Sequence, residues 1–398
     1  QAEELSAQLK RLKSAQKRVI VFLPKLNNPL MVAVADADEL WMSPTSEVTV
    51  SALLREKFYL KGLLERFKVK AEFISVGDYK SAPEMFTHSG PSQEAREAEE
   101  ALLQARYQRL LRALELRAQR SSADHAKLKQ QALTWLQEGP YSAHEALERG
   151  LIDHIVHAVD LDRALVKRYP KLEMNLGAPP ELHERWGARP QLAALYVVGE
   201  LGGGGLTGGD SVSAARLAPM IRQLSADERV KGVLLRIDSP GGAISDADEL
   251  WRALSELAQR KPLVASMGDV AASGGYYVAA PAQVIFASPN TVTGSIGVFA
   301  GKVDLSPALE WLGVGVTRLR AGPPGGGEES LFTPWSDAQR ARLKRSMTSM
   351  YELFLSRVLE GRSGLTRETL LPLAGGRVWS GQRAREQGIV DVEGGALD

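Results

Sequence analysis

Two hydrophobic periods alternate along this chain, and their order occurs twice. Residues 2–12, AEELSAQLKRL, place Leu5, Leu9 and Leu12 on one face of an amphipathic helix. The apolar run Val19–Phe22 follows and predicts a short strand. A helix-like segment, a second apolar strand, a Ser-Pro turn, another helix and strand, and long helices of mixed polarity come next. The second half shows the same order, preceded by two further strands in LAALYVVGEL and GVLLRIDSPGG. Strands alternating with helices predict βαβ units and parallel pairing, so the expected fold class is α/β.

Subtracting 245 from the numbers of the second half superposes the copies. AEEL (2–5) then lies on ADEL (247–250), Val19–Phe22 on Val264–Met267, WMSP (41–44) on FASP (286–289), and LERFKV (64–69) on LEWLGV (309–314). Near the ends the shift becomes 238, with YSAHEALERGLID (141–153) on WSGQRAREQGIVD (379–391). The chain therefore reads as a diverged internal duplication. The first repeat covers residues 1–170, a Pro/Gly-rich linker covers 171–190, and the second repeat covers 191–398. The first copy lacks the second's opening stretch, 191–246, and is read as truncated at its N-terminus. A start at Gln1 inside a helical pattern reads as a piece of a longer protein, whose signal or anchor would lie in the missing part.

Composition narrows the chemistry. A net charge of +1, from 49 Lys+Arg against 48 Asp+Glu, offers no basic field for nucleic acid. With no cysteine, a nucleophile must be an oxygen or an amine. No apolar run approaches the roughly 18 residues of a membrane span. No metal-ligand cluster is visible in the sequence, and no cofactor is expected. The glycines of ELGGGGLTGGDS (200–211) lack dinucleotide-binding spacing and read as a loop.

Two stretches carry candidate chemistry. In VLLRIDSPGG (233–242) a strand runs into Ser-Pro-Gly-Gly, where glycines permit a sharp turn and leave N–H groups facing outward. In SMGDVAASGGYYVAA (266–280) Ser273 stands between a strand end and a helix start. Each alone fits close backbone packing as well as catalysis; together they supply a hydroxyl and backbone donors, the two parts of acyl-transfer chemistry. All six histidines precede the second copy and none has a triad setting, which disfavours a Ser-His-Asp arrangement. A lysine is the remaining base. The shift of 245 lays Lys80 of GDYKSAPE on Gly325, and Ser273 on Asn28. One copy keeps the lysine and the other the serine, which suggests a site to which both halves contribute.

The motifs GDYKSAPE, RIDSPGG (236–242), SMGDVAASGGYY (266–277) and SPNTVTGSIGVF (288–299) occur in this order across the duplication. In them the chain resembles the long, tandem-repeat signal peptide peptidase A family, Ser–Lys proteases of the ClpP/crotonase superfamily. The resemblance implies two tandem ClpP/crotonase-like repeats. It implies Ser273 as nucleophile, Lys80 as general base, Ser295 as the serine that orients the lysine, and the N–H groups of Gly241, Gly242 and Gly274 as oxyanion hole. It further implies apolar peptide substrates such as signal-peptide remnants, small apolar pockets beside the cut, and self-association, to a homotetramer. Attachment to the bacterial membrane would use a segment absent from this chain, with the catalytic part on the outer side. For Lys80 to be neutral at pH 7 its pKa must fall by about 3.4 units from about 10.4. A crotonase-like acyl-CoA enzyme, using carboxylates rather than a serine, and a non-catalytic assembly scaffold are the competing readings.

Overall fold

A computed structural model describes residues 2–119, 124–171, 190–202, 211–319 and 327–398. Most of the predicted linker, the 203–210 part of the Gly-rich loop, and Gly322 and Gly325 lie outside the described residues. The chain forms two compact units: Gln1–Leu54 with Leu103–Arg189, and Arg55–Leu102 with Pro190–Ala396. Residues 55–102, which include Lys80, thus belong to the unit that holds most of the second repeat.

In chain order the strands of the first half are β1 (Ile20–Leu23), β2 (Leu26–Asn27), β3 (Glu39–Met42), β4 (Glu47–Thr49), β5 (Lys70–Val76), β6 (Tyr141–Ser142) and β7 (His154–Ile155). The second half adds β8 (Gln191–Val198), β9 (Glu200–Leu201), β10 (Ser211–Val212), β11 (Val230–Ser239), β12 (Leu263–Ala272), β13 (Val284–Ala287), β14 (Val292–Gly294), β15 (Val298–Asp304), β16 (Val378–Ser380) and β17 (Val392–Glu393). The first unit contains the sheets β1-β3-β7 and β2-β4-β6; the second is built on β16-β14-β12-β11-β8, with β13 beside β12 and β17 beside β13. The fold is α/β with predominantly parallel sheets. Three pairings are antiparallel where the sequence predicts parallel ones: β4–β6, β14–β16 and β5–β15. Each joins strands far apart in sequence, so no crossover helix dictates their direction.

The register carries the duplication into the structure. Leu26 pairs with Val48 and Asn27 with Thr49, as Ala271 pairs with Thr293 and Ala272 with Gly294. Trp41 faces His154 as Phe286 faces Val392. Glu47 and Val48 meet Ser142 and Tyr141 as Val292 and Thr293 meet Ser380 and Trp379. These are the positions that the shifts of 245 and 238 connect, so the internal matches in sequence correspond to equivalent places in two sheets.

A charged pair is retained with them. In the first unit the Arg117 guanidinium binds the Asp153 carboxylate, which also accepts the Leu40 N–H at 2.7 Å. In the second, Arg362 binds Asp391, which accepts the Ile285 N–H at 2.7 Å. The two sets are related by the same shifts. In both copies the carboxylate accepts the N–H of a strand's second residue while the arginine reaches a buried carbonyl, Leu151 in one and Ala282 in the other.

The second unit has one hydrophobic core that takes in residues of its strands and helices. Helix Ile244–Ala258 buries Ala247, Leu250, Leu254 and Leu257, a helical stripe that shares one core with Leu235, Ala265 and Met267. Helix Asp337–Gly361, started by a Ser336–Gln339 capping box, buries Tyr351, Phe354, Leu355 and Val358. Replacing Arg362 by Met leaves the partly buried Asp391 unpaired and is expected to lower stability by about 2–3 kcal/mol. Arg383→Ala, which removes the exposed pair with Glu386, is expected to change it by less than about 0.5 kcal/mol. Urea unfolding of both variants checks this; equal, small effects would contradict it.

Candidate active site

The second unit's long central strand ends at the candidate nucleophile. β12 stops at Ala272, and Ser273 caps the fully buried helix Gly274–Ala279 with φ +54° and ψ −119°, a conformation L-residues rarely adopt. Its N–H donates to Gly294 O at 2.8 Å and its carbonyl accepts the Tyr277 N–H at 2.9 Å, which together hold the strained residue in place. The Ser-Pro-Gly-Gly turn after β11 lies directly against it. A Cβ on Gly241 would come within 2.7 Å of Gly274 N and 2.8 Å of the Ser273 Cβ, so only glycine fits. Gly241 and Gly242 both have positive φ, +104° and +148°. The Gly241 N–H donates to Ser239 Oγ at 3.2 Å, while Gly242 N lies 3.3 Å from where a Gly274 Cβ would stand. Among the described residues the Gly242 N–H meets no acceptor.

Lys80 arrives from the other sequence copy on a two-stranded ribbon. β5 pairs antiparallel with β15 along its whole length, from Lys70–Asp304 to Val76–Val298. The chain then turns at Gly77, φ +106°, where a Cβ would stand 2.4 Å from the Gly375 carbonyl carbon. A Cβ on Gly376 would be nearly as tight, 2.6 Å from the Lys80 backbone nitrogen. Tyr79 N–H donates to Gly375 O at 2.9 Å, and Pro83 takes up the turn before helix Glu84–Thr87, where its missing N–H is not needed. Lys80 is buried at 8% exposure. Its Nζ lies 3.0 Å from Ser273 Oγ, 3.0 Å from Ser295 Oγ and 3.1 Å from Ser295 O. Ser295 also has positive φ, +52°, and its N–H donates to Arg377 O at 2.7 Å.

These three oxygens are neutral, and among the described residues no carboxylate pairs with the amine. Burial without a counter-ion penalises the ammonium, and it holds the Lys80 pKa down to about 8. A neutral amine has two N–H donors and one lone pair. Donated to Ser295 Oγ and O, the two N–H groups leave the lone pair to accept the Ser273 hydroxyl proton. The arrangement can therefore deprotonate a serine beside unpaired backbone N–H groups.

The profile of peptidase family S49 matches residues 11–168 and 255–398. The chain belongs to peptidase family S49. It is 32% identical to Protease 4 of Salmonella typhi over 90% of its length, and 29% identical to Protease 4 of Haemophilus influenzae over 97%. It is 28% identical to the chloroplastic serine protease SPPA of Arabidopsis thaliana over 99%. It spans 59%, 64% and 59% of those three proteins.

Of the residues singled out in this S49 sequence, Ser273, Lys80 and Ser295 meet within hydrogen-bonding distance in a single chain, with Gly241, Gly242 and Gly274 beside the serine. The described histidines make no hydrogen bond to Ser273; His88, in the same unit, lies against Thr87. In the first copy Asn28 occupies the serine's counterpart, and its amide is closed onto the Ser51 backbone, donating to O at 2.9 Å and accepting from N–H at 3.1 Å. Sequence reasoning missed Gly375, Gly376, Arg377 and Tyr79. The AGGR run before WSGQ was a usable signal, since paired glycines mark close backbone approach. Among the described residues no three His, Asp or Glu side chains gather as a metal ligand set, and no helix is long and apolar enough to cross a membrane.

The lysine's burial predicts a pH-dependent penalty. Its folded pKa lies below the unfolded value of about 10.4, so the unfolded chain binds the extra proton between about pH 8 and 10.4 and stability rises across that window. Below it the penalty is constant. Lys80→Met is expected to be more stable than the parent at pH 7 by about 1–3 kcal/mol, with the difference shrinking at pH 10. Urea unfolding at the two pH values measures it; a variant less stable at pH 7 would contradict the assignment.

Proposed function

We propose that this chain is a serine endopeptidase in which Ser273 is the nucleophile and Lys80 the general base. Ser273 Oγ attacks a peptide carbonyl carbon as its proton passes to the Lys80 lone pair. The N–H groups of Gly242 and Gly274 face the oxyanion. Gly241, whose own N–H is committed to Ser239, contributes the turn that brings Gly242 there. Collapse of the intermediate breaks the C–N bond, and Lys80 returns the proton to the leaving amine. Water then attacks the acyl-serine, gives a proton to Lys80, and releases the acid as Ser273 recovers its hydrogen. Ser295 holds the amine with its lone pair toward Ser273 throughout.

The observation that carries this reading is the 3.0 Å contact between the buried Lys80 Nζ and Ser273 Oγ, with Ser295 accepting the amine's remaining hydrogens. An acyl-CoA enzyme of the crotonase type has no use for such a contact, and a scaffold has no reason to keep a lysine desolvated. The substrates we assign are extended apolar peptides such as signal-peptide remnants. The setting is the outer side of a bacterial membrane, where the two repeats, 1–170 and 191–398, act within a homotetramer. These finer assignments follow from the resemblance to signal peptide peptidase A.

Ser273→Ala and Lys80→Ala are each expected to lower kcat/KM on a fluorogenic apolar peptide by about 10³-fold or more. The double variant should be little worse than either, because the two residues act as one unit. With a base titrating near pH 8, the neutral fraction grows from about one tenth at pH 7 to about nine tenths at pH 9. Parent activity should rise across that interval and then level. Full activity in either single variant would falsify the dyad.

A further inference from the structure

We propose that Arg377 is a positioning residue that holds Lys80 and Ser295 in register with each other. This inference rests on the dyad reading above and adds a residue to it. The two segments that must meet at the lysine amine, the turn that carries Lys80 and the loop that carries Ser295, both hang from Arg377. Through its backbone, Arg377 O accepts the Ser295 N–H at 2.7 Å, fixing a serine in strained, positive-φ geometry. Through its side chain, Nη1 donates to Tyr79 Oη at 3.1 Å and Nη2 to Glu97 Oε1 at 2.7 Å. Tyr79 is the residue immediately before Lys80, and its hydroxyl donates in turn to Glu97 Oε2 at 3.0 Å.

The guanidinium also lies over two rings, 4.8 Å from the Tyr79 centroid and 4.5 Å from that of Trp379. An arginine is suited to this place because one planar group can fork to two oxygens and stack on two faces at once; an ammonium cannot. The neighbouring glycines complete the join. Gly375 O accepts the Tyr79 N–H, Gly375 N–H donates to Tyr351 Oη at 3.1 Å, and Gly376 N–H donates to Ile296 O at 2.8 Å. Residues 375–377 therefore splice the lysine turn to the Ser295 loop, and Arg377 adds the side-chain closure.

This role is geometric rather than electrostatic. The titratable groups around the lysine turn include Asp78, Tyr79, Glu94, Glu97, Tyr351 with its neighbours Glu352 and Arg367, and Arg377 itself. The cause of the Lys80 shift is burial, not any of these charges. Loosening the clamp should therefore act by letting the amine swing from the Ser295 oxygens into water. Two consequences follow: fewer productive Lys80–Ser273 contacts, and an amine pKa that climbs toward its ordinary value.

The test is Arg377→Ala, with Arg377→Lys and Tyr79→Phe beside it, compared with the parent and Ser273→Ala. Misplacement of a catalytic group by about 1 Å can lower a rate about 100-fold. Arg377→Ala should lose about 10- to 100-fold in kcat with KM within about twofold, and the acid limb of its pH profile should move up by about one unit. Arg377→Lys should resemble it, and Tyr79→Phe should show a smaller loss in the same direction. A titration of the Lys80 side chain by NMR in protein carrying 13C-lysine, assigned with Lys80→Arg, should show the same upward movement whether or not the peptide is cleaved. A parent-like profile and titration, or a lower kcat with an unmoved titration, overturns the inference. If Arg377→Ala does not fold, Tyr79→Phe is judged by the same two readouts. If the parent has no Ser273-dependent activity, the function reading falls, while the NMR titration still decides whether Arg377 positions the amine.

Discussion

Removal of water from one lysine amine is the constraint on which the second unit's architecture turns. Lys80 lies buried against three neutral oxygens, and among the described residues no carboxylate stabilises its charge. Such a group is unfavourable for stability and useful for chemistry, since desolvation yields a base near neutral pH. Holding it there requires the surrounding backbone to be over-determined. The β5–β15 ribbon delivers the turn, Gly77 and Gly376 let it approach without a Cβ between, and Ser273 and Ser295 are both kept at positive φ by hydrogen bonds from neighbouring segments. The strain is concentrated where the reacting atoms meet.

The duplication explains how this was arranged without a new fold. Both copies retain the same strand registers and the same arginine–aspartate lock, Arg117–Asp153 and Arg362–Asp391. They diverge in what they place on that frame. Asn28 satisfies its amide on the Ser51 backbone where the second copy exposes a hydroxyl. Residues 53–59 of the first copy carry no strand, whereas their counterparts form β15; conversely, β5 has no strand opposite it in the described residues of the second copy, 315–319. One strand from each copy makes the ribbon. The divergence is complementary, so the lysine of one repeat lies against the serine of the other inside a single compact unit.

Much of this was legible in the sequence, for identifiable reasons. Apolar runs located β8, β11 and β12; the two inner strands are buried, which leaves continuous apolar runs, whereas β8 lies at the sheet edge with Leu192, Tyr196 and Val198 exposed. The residue-by-residue superposition of copies singled out Ser273 and Lys80, because a repeat turns a missing side chain into information. Pairing direction was not legible: β5 and β15 are separated by more than two hundred residues, and no local pattern encodes a partner so distant. Neither was the division of the chain in space, since residues 55–102 follow their β-partner rather than their repeat. The Gly241 N–H reads as a free donor in sequence, yet the Ser239 hydroxyl two residues earlier takes it. Arg377 was invisible for a similar reason, because its importance lies in two long-range contacts and a backbone carbonyl rather than in its own stretch.

The most direct test of the account is covalent capture of the nucleophile. A serine-reactive fluorophosphonate, followed by peptide mass mapping, should modify Ser273. The rate should rise with pH to a plateau above about pH 8 to 9, tracking the neutral form of Lys80. In Lys80→Ala the modification should slow by orders of magnitude and lose that pH dependence. Modification at another serine, or a rate at Ser273 that is undiminished without Lys80, would contradict the central claim that the buried amine activates this hydroxyl.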